Sequence, residues 1–210
     1  MTHKFIYPTI SINYTGAVPG IYEEGQTINI TKIVLNSSGG NIDAFKESLP
    51  EMYINGNKYD ISNDIITSRD DQYIIEFAFP LSISTSTTIL FNTLINNTIV
   101  PKSSSFIFTK AHYHGTVSNL DDLTDDYIIN SNKKLSVKGN LTYKFTVEKG
   151  YTFLCYPKEW GTIKIVDQNG FNVTAGYTLS ELTIKGNNYY LARVTVAGTV
   201  NNFGLTFSFS

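Results

Sequence analysis

A 210-residue chain with 16 Lys and Arg against 18 Asp and Glu carries a formal charge of −2, which offers no broad attraction to nucleic acid or to an anionic membrane. Its 41% hydrophobic content excludes a disordered polymer, and its 16% of charged residues lies below the usual quarter of a soluble domain. Asn, Ser and Thr make up the difference, together with 14 Tyr and 13 Phe, and no window approaches the ~20 apolar residues of a membrane span.

The first residues, MTHKFIYPTISIN, hold no unbroken apolar run and no small-residue cleavage site, so no secretory signal is expected. From Phe5 to Asn13 apolar and polar residues alternate, and the same period returns at Thr27–Leu35, Gln72–Phe79, Thr88–Ile95 and Ser104–Thr109. Alternation of this kind gives a strand with one wet face, as in an antiparallel sheet. Val18-Pro19-Gly20, Ser38-Gly39-Gly40 and Asn55-Gly56-Asn57 supply turns between these runs. Around Ser118–Leu123 a helical turn is predicted, with Ser118 or Asn119 as cap and Asp121 and Asp122 favouring its positive end.

Alternation resumes at Leu141–Val147, where Leu141, Tyr143, Phe145 and Val147 share one face, and continues at Tyr151–Tyr156, Thr162–Val166, Tyr189–Val196 and Asn202–Ser208. Asn169-Gly170 and Lys185-Gly186-Asn187 read as tight turns, and Thr178–Leu182 as a single helical turn. The sum is an all-β chain of two consecutive antiparallel β-sandwich, immunoglobulin-like modules. The predicted limits are 1–109, an acidic and partly helical joint over 110–132, and 133–210. Charge follows this division: residues 1–110 hold 7 basic and 10 acidic side chains, 111–132 none and 4, and 133–210 hold 9 and 4.

No catalytic set emerges. There is no G-x-S-x-G, phosphate-binding or dinucleotide-binding fingerprint, and no cofactor is expected. Cys155 stands alone inside an alternating run, so it forms no intramolecular disulfide and reads as a buried hydrophobe. Glu159, Asp167 and Glu181 are candidate carboxylates for glycoside hydrolysis, but each lies in or beside a turn, where a solvated acid is the ordinary outcome. His112 and His114 are the metal candidates, since residues i and i+2 of a strand share a face. Two ligands are too few to close a structural zinc site, so two histidines at a module junction remain the alternative. Exposed Tyr and Trp can stack on sugars or anchor a partner, and Trp160, Tyr156 and Tyr113 are the contact candidates, against the alternative that they fill the core.

One stretch carries a resemblance. Phe153-Leu154-Cys155-Tyr156-Pro157-Lys158-Glu159-Trp160-Gly161, followed by Ile165-Val166-Asp167-Gln168-Asn169-Gly170-Phe171, resembles the C-terminal module of tailed-bacteriophage virion proteins. There an aromatic–Pro–Lys–x–aromatic–Gly corner leads into an Asp-x-Asn-Gly-Phe hairpin. Tyr189-Tyr190 with Val194-Thr195-Val196 is similar to the same module. Tyr22-Glu23-Glu24-Gly25-Gln26-Thr27 resembles the lead-in to the first long strand of its usual companion, although Glu24 stands where small or apolar residues are usual. Phe106-Ile107-Phe108 with Tyr113-His114-Gly115 resembles the joint between the two, and the first module is stretched around 36–63.

The resemblance implies a non-enzymatic structural component of a virion, such as a fibre, adaptor or accessory subunit. It would be assembled in the host bacterial cytoplasm, homo-oligomeric, and bound to other virion proteins. It offers no catalytic residues, and the charge balance above leaves no nucleic-acid or membrane partner expected. Binding of a host glycan or receptor is the alternative. Some phage fibres hold iron through His-x-His on a threefold axis, and three copies of His112 and His114 would supply the six imidazoles of such a site.

Overall fold

The computed structural model describes residues 5–40, 49–69 and 71–210. His3 and part of the stretch around 36–63 lie outside the described residues. The chain forms two compact units, Met1–Phe108 and Thr109–Ser210.

In the first unit the strands are β1 (Thr9–Thr15), β2 (Gly20–Glu23), β3 (Ile28–Ser38), β4 (Glu51–Ile54), β5 (Asn57–Lys58), β6 (Ile65–Arg69), β7 (Gln72–Ile83), β8 (Thr87–Ile95) and β9 (Thr98–Thr109). They build one sheet in the order β1-β3-β7-β6 and another in the order β2-β9-β8-β4-β5. These are the A-B-E-D and G-F-C orders of an immunoglobulin sandwich, with β5 extending the C side and β2 beside the G strand. Ile30, Ile33, Leu35, Tyr73 and Ile75 from the first sheet meet Met52, Ile89, Phe91, Ile95 and Phe106 from the second in one core. Burial of this alternating face is what holds the strands in register.

One irregularity interrupts it. Lys32 pairs with Glu76 and Ile30 with Leu81, so the single residue Thr31 stands opposite the four residues Phe77–Pro80. Pro80 has no N–H for the ladder, and bulges are where strand prolines are tolerated. The Ala78 N–H donates instead to Asp64 Oδ1 at 3.2 Å. The bulge turns Phe79 out of the sandwich, leaving it 85% exposed.

The second unit holds β10 (His112–Val117), a 3-10 turn (Leu120–Asp122), α1 (Asp125–Asn130), β11 (Asn132–Lys134), β12 (Leu141–Val147), β13 (Gly150–Pro157), a 3-10 turn (Lys158–Trp160), β14 (Ile163–Asp167), a 3-10 turn (Thr174–Gly176), β15 (Thr178–Ile184), β16 (Asn187–Val196) and β17 (Val200–Phe209). Its sheets run β11-β10-β13-β16-β15 and β12-β17-β14. β10, β13, β16 and β15 take the A-B-E-D places and β14 and β17 those of C and F. The seat beside F, which G fills in the standard fold, is taken by β12, which precedes β13 in the chain.

This arrangement corrects the predicted joint. Residues 110–132 are no linker: β10 pairs antiparallel with β13 over Tyr113–Val117, and Thr124 caps α1 by accepting from the Tyr127 N–H at 3.2 Å. The physical reason lies in β13. Its consecutive buried residues Phe153, Leu154, Cys155 and Tyr156 need cover on both faces. Leu154 and Tyr156 pack toward the three-stranded sheet with Phe145, Ile165, Leu205 and Phe207. Phe153 and Cys155 pack on the other side with Ala111, Tyr113 and Ile128, so the predicted joint provides the second cover. Thr178–Leu182 is also corrected: it lies in strand β15, which pairs with β16 over its whole length rather than curling into a helical turn.

Candidate functional site

Pro157 ends β13, and Lys158–Trp160 turn back in one 3-10 turn. Gly161 then adopts φ 85°, and a Cβ there would lie 2.1 Å from the Ser210 carbonyl oxygen, so no other residue fits without moving backbone. The turn folds Trp160 inward. Its ring lies 4.9 Å from Phe209, 6.4 Å from Tyr156 and 5.4 Å from His112, centroid to centroid. Trp160 is 4% exposed, Tyr156 0% and Tyr113 1%. None of the three is a surface contact: Tyr156 and Tyr113 lie on opposite faces of a sheet covered on both sides, and Trp160 closes the end of the sandwich.

The histidines share a face, as their spacing implies, but that face is internal. His112 is completely buried, and its Nε2 is hydrogen-bonded to the Tyr143 hydroxyl. The His114 ring stacks on Tyr143 with 3.7 Å between centroids. Both imidazoles therefore flank one phenol inside the core, and a buried His112 cannot be presented to an ion on an oligomer axis. Among the described residues no three His, Cys, Asp or Glu side chains gather as a metal site. Burial, then the neighbouring His114 and Lys134, lower the pKa of His112 to about 4; burial and Lys134 lower that of His114 to about 4. Burial raises Tyr143 to about 12. Cys155 is buried and free, and burial drives its thiol far above the range in which it would be a nucleophile.

The candidate carboxylates are each occupied locally, and Glu181 lies within strand β15 rather than beside a turn. Glu159 pairs with Lys110 at 2.9 Å, and Glu181 with Lys158 at 2.6 Å. Asp167 Oδ1 accepts from the Asn169 and Phe171 N–H groups, both at 2.9 Å, and so ties the Asp-Gln-Asn-Gly-Phe hairpin.

Three other surfaces remain as candidates. A polar cleft of ≈ 920 Å³ lies between the end of β10 and α1, lined by Thr116, Ser118, Asp121, Asp126, Tyr127 and Asn132 among others. The Tyr127 hydroxyl donates to the Thr116 carbonyl at 2.6 Å, which fixes its ring at the cleft wall. A second, apolar cavity of ≈ 350 Å³ opens at one end of the second sandwich, lined by Val173, Tyr177, Val194, Val196, Val200 and Phe203 among others. The third is the Phe79 bulge in the first unit, where Ile65, paired with Glu76 on the adjoining strand, is also exposed. Sequence pattern concealed Phe79, because counting by two from Tyr73 and Ile75 places it inside. The signal that reveals it is Pro80, which cannot continue an inner strand.

No protein-family model matches this chain, and no curated protein matches it. Among solved structures, a chimeric titin Z1Z2-Z1Z2 tandem is 10% identical, covering 95% of this chain and 97% of its own, with a TM-score of 0.30. The titin domains Z1Z2 in complex with telethonin are 10% identical over 98% and 96%, TM-score 0.30. The C-terminal domain of the Streptococcus agalactiae AgI/II polypeptide BspA is 11% identical over 95% and 89%, TM-score 0.21. At such scores the alignments bear no functional weight, and the immunoglobulin-like assignment stands on the sheet orders themselves. No helix among the described residues is long and apolar enough to cross a membrane.

Proposed function

We propose that this chain is a non-enzymatic structural subunit of a bacteriophage virion, a fibre, adaptor or accessory component that binds neighbouring virion proteins and copies of itself. The single observation that supports binding is Phe79. A large aromatic ring held out of a sandwich by a bulge leaves its apolar surface in water, and contact with a partner would bury it. Aromatic anchors of this kind dominate interface energetics. The virion assignment is supported by the resemblance of the 153–171 corner and hairpin and of the 22–27 lead-in. Mass spectrometry of purified particles encoding this chain is the test. The expected result is the chain present at a fixed ratio to the major structural proteins; its absence from intact particles overturns the assignment.

A second reading is supported by the polar cleft beside α1. Hydroxyl, amide and carboxylate groups around one fixed tyrosine ring are the groups that recognise a saccharide, by hydrogen bonds to its hydroxyls and stacking on its ring. On this reading the wild type binds particular spots of a glycan array, and Tyr127→Ala with Asp126→Asn lose that binding by at least tenfold. An array with no signal for the wild type removes the reading.

A further inference from the structure

The two modules carry complementary halves of a contact. The first unit holds a protruding ring, Phe79, on a bulge tied by Asp64. The second holds an apolar cavity of ≈ 350 Å³ between the end of β16, the start of β17 and the turn before β15. None of its lining residues, Val194, Val196, Val200 and Phe203 among them, is charged. A dry cavity of about 150 Å³ suffices for a benzene ring, so this one admits a phenylalanine side chain with its flanking proline.

Net charge disfavours the contact of one first unit with another. Residues 1–108 hold 6 basic and 10 acidic side chains, net −4, whereas residues 109–210 hold 10 and 8, net +2. Contact between a first unit and a second unit joins opposite charges, while first-to-first contact joins two units of net −4.

We infer that copies of this chain associate head to tail, Phe79 of one copy entering the Val194–Phe203 cavity of the next. Such a contact is heterologous. It can repeat from copy to copy as a ring or filament, or close when two copies engage each other reciprocally. The inference rests on the assembly role proposed above and specifies the self-contact. One anchored ring makes a small interface, so association depends on concentration.

Sedimentation equilibrium over a series reaching about 1 mM tests it, a range that detects contacts of ~4 kcal/mol. Wild type is expected to associate beyond the monomer. Phe79→Ser, which loses the ring, and Ala197→Glu, which puts a charge at the cavity, are each expected to remain monomeric. Both positions are exposed, and unchanged circular dichroism confirms folding. An equimolar mixture of the two variants retains one intact ring and one intact cavity, and is expected to form a heterodimer that grows no further. A wild type that is monomeric throughout overturns both the assembly role and this contact. A wild type that associates while Phe79→Ser associates equally well, or variants whose mixture stays monomeric, overturns the contact alone.

Discussion

Trp160→Ala is expected to destabilise the second unit by about 3–5 kcal/mol, the cost of deleting a large buried aromatic and leaving a cavity. Trp160 meets Tyr156, Phe209 and His112, and little of it is accessible to a partner. The turn cannot follow the smaller side chain inward, because Gly161 already lies against the backbone of Ser210. Denaturant unfolding of the full chain should show the second-unit transition moving to lower concentration. Phe79→Ala, at an exposed bulge, should stay within ~0.5 kcal/mol of wild type. If Trp160→Ala left unfolding unchanged and Phe79→Ala unfolded the first unit, the assignments of core and contact would be exchanged.

Acid should weaken the second unit through His112. In the unfolded chain the imidazole titrates near 6.5; in the folded core, burial, His114 and Lys134 lower this to about 4. Between these values the unfolded state binds more protons, so stability is fully present above pH 6.5 and is lost as pH falls toward 4. The geometry explains the direction. Charging His112 requires a proton on both ring nitrogens, and Nδ1 is buried with no hydrogen-bond partner among the described residues. The contribution of His112 is on the order of 3 kcal/mol. His112→Gln keeps a side chain able to reach Tyr143 but does not titrate, so the difference in stability between pH 7 and pH 4 should shrink by about that amount relative to wild type. An unchanged difference would show that His112 is not held neutral by the core.

Much of the fold was legible because its strands bury one face at a time. Leu141, Tyr143, Phe145 and Val147 all point into the core as their alternation requires, and Asn55-Gly56 and Lys185-Gly186 take the positive φ values expected of tight turns. The pattern failed where an element has two covered faces or none. β13 is apolar at successive positions, and nothing in its own sequence says that Ile128 of α1 provides the second cover. Thr178–Leu182 lies at a sheet edge, where the face signal is weak and pairing with β16 decides the conformation.

The site was harder to read than the fold. Trp160, next to a glycine in a turn, has the local signature of an exposed corner, and its burial comes from the rings of Phe209, Tyr156 and His112, all but Tyr156 distant in sequence. Phe79 has the reverse signature, an inward parity undone by a bulge opposite Thr31. Both errors have one source: periodicity reports the parity of a residue within its strand, while bulges and returning turns depend on partners distant in sequence.

The most direct test of the proposed assembly role is the mass of the full chain in solution as a function of concentration. Sedimentation equilibrium of the wild type should give an apparent mass that rises through multiples of the monomer, a rise that Phe79→Ser abolishes. A monomer mass at every concentration for both proteins would contradict the account.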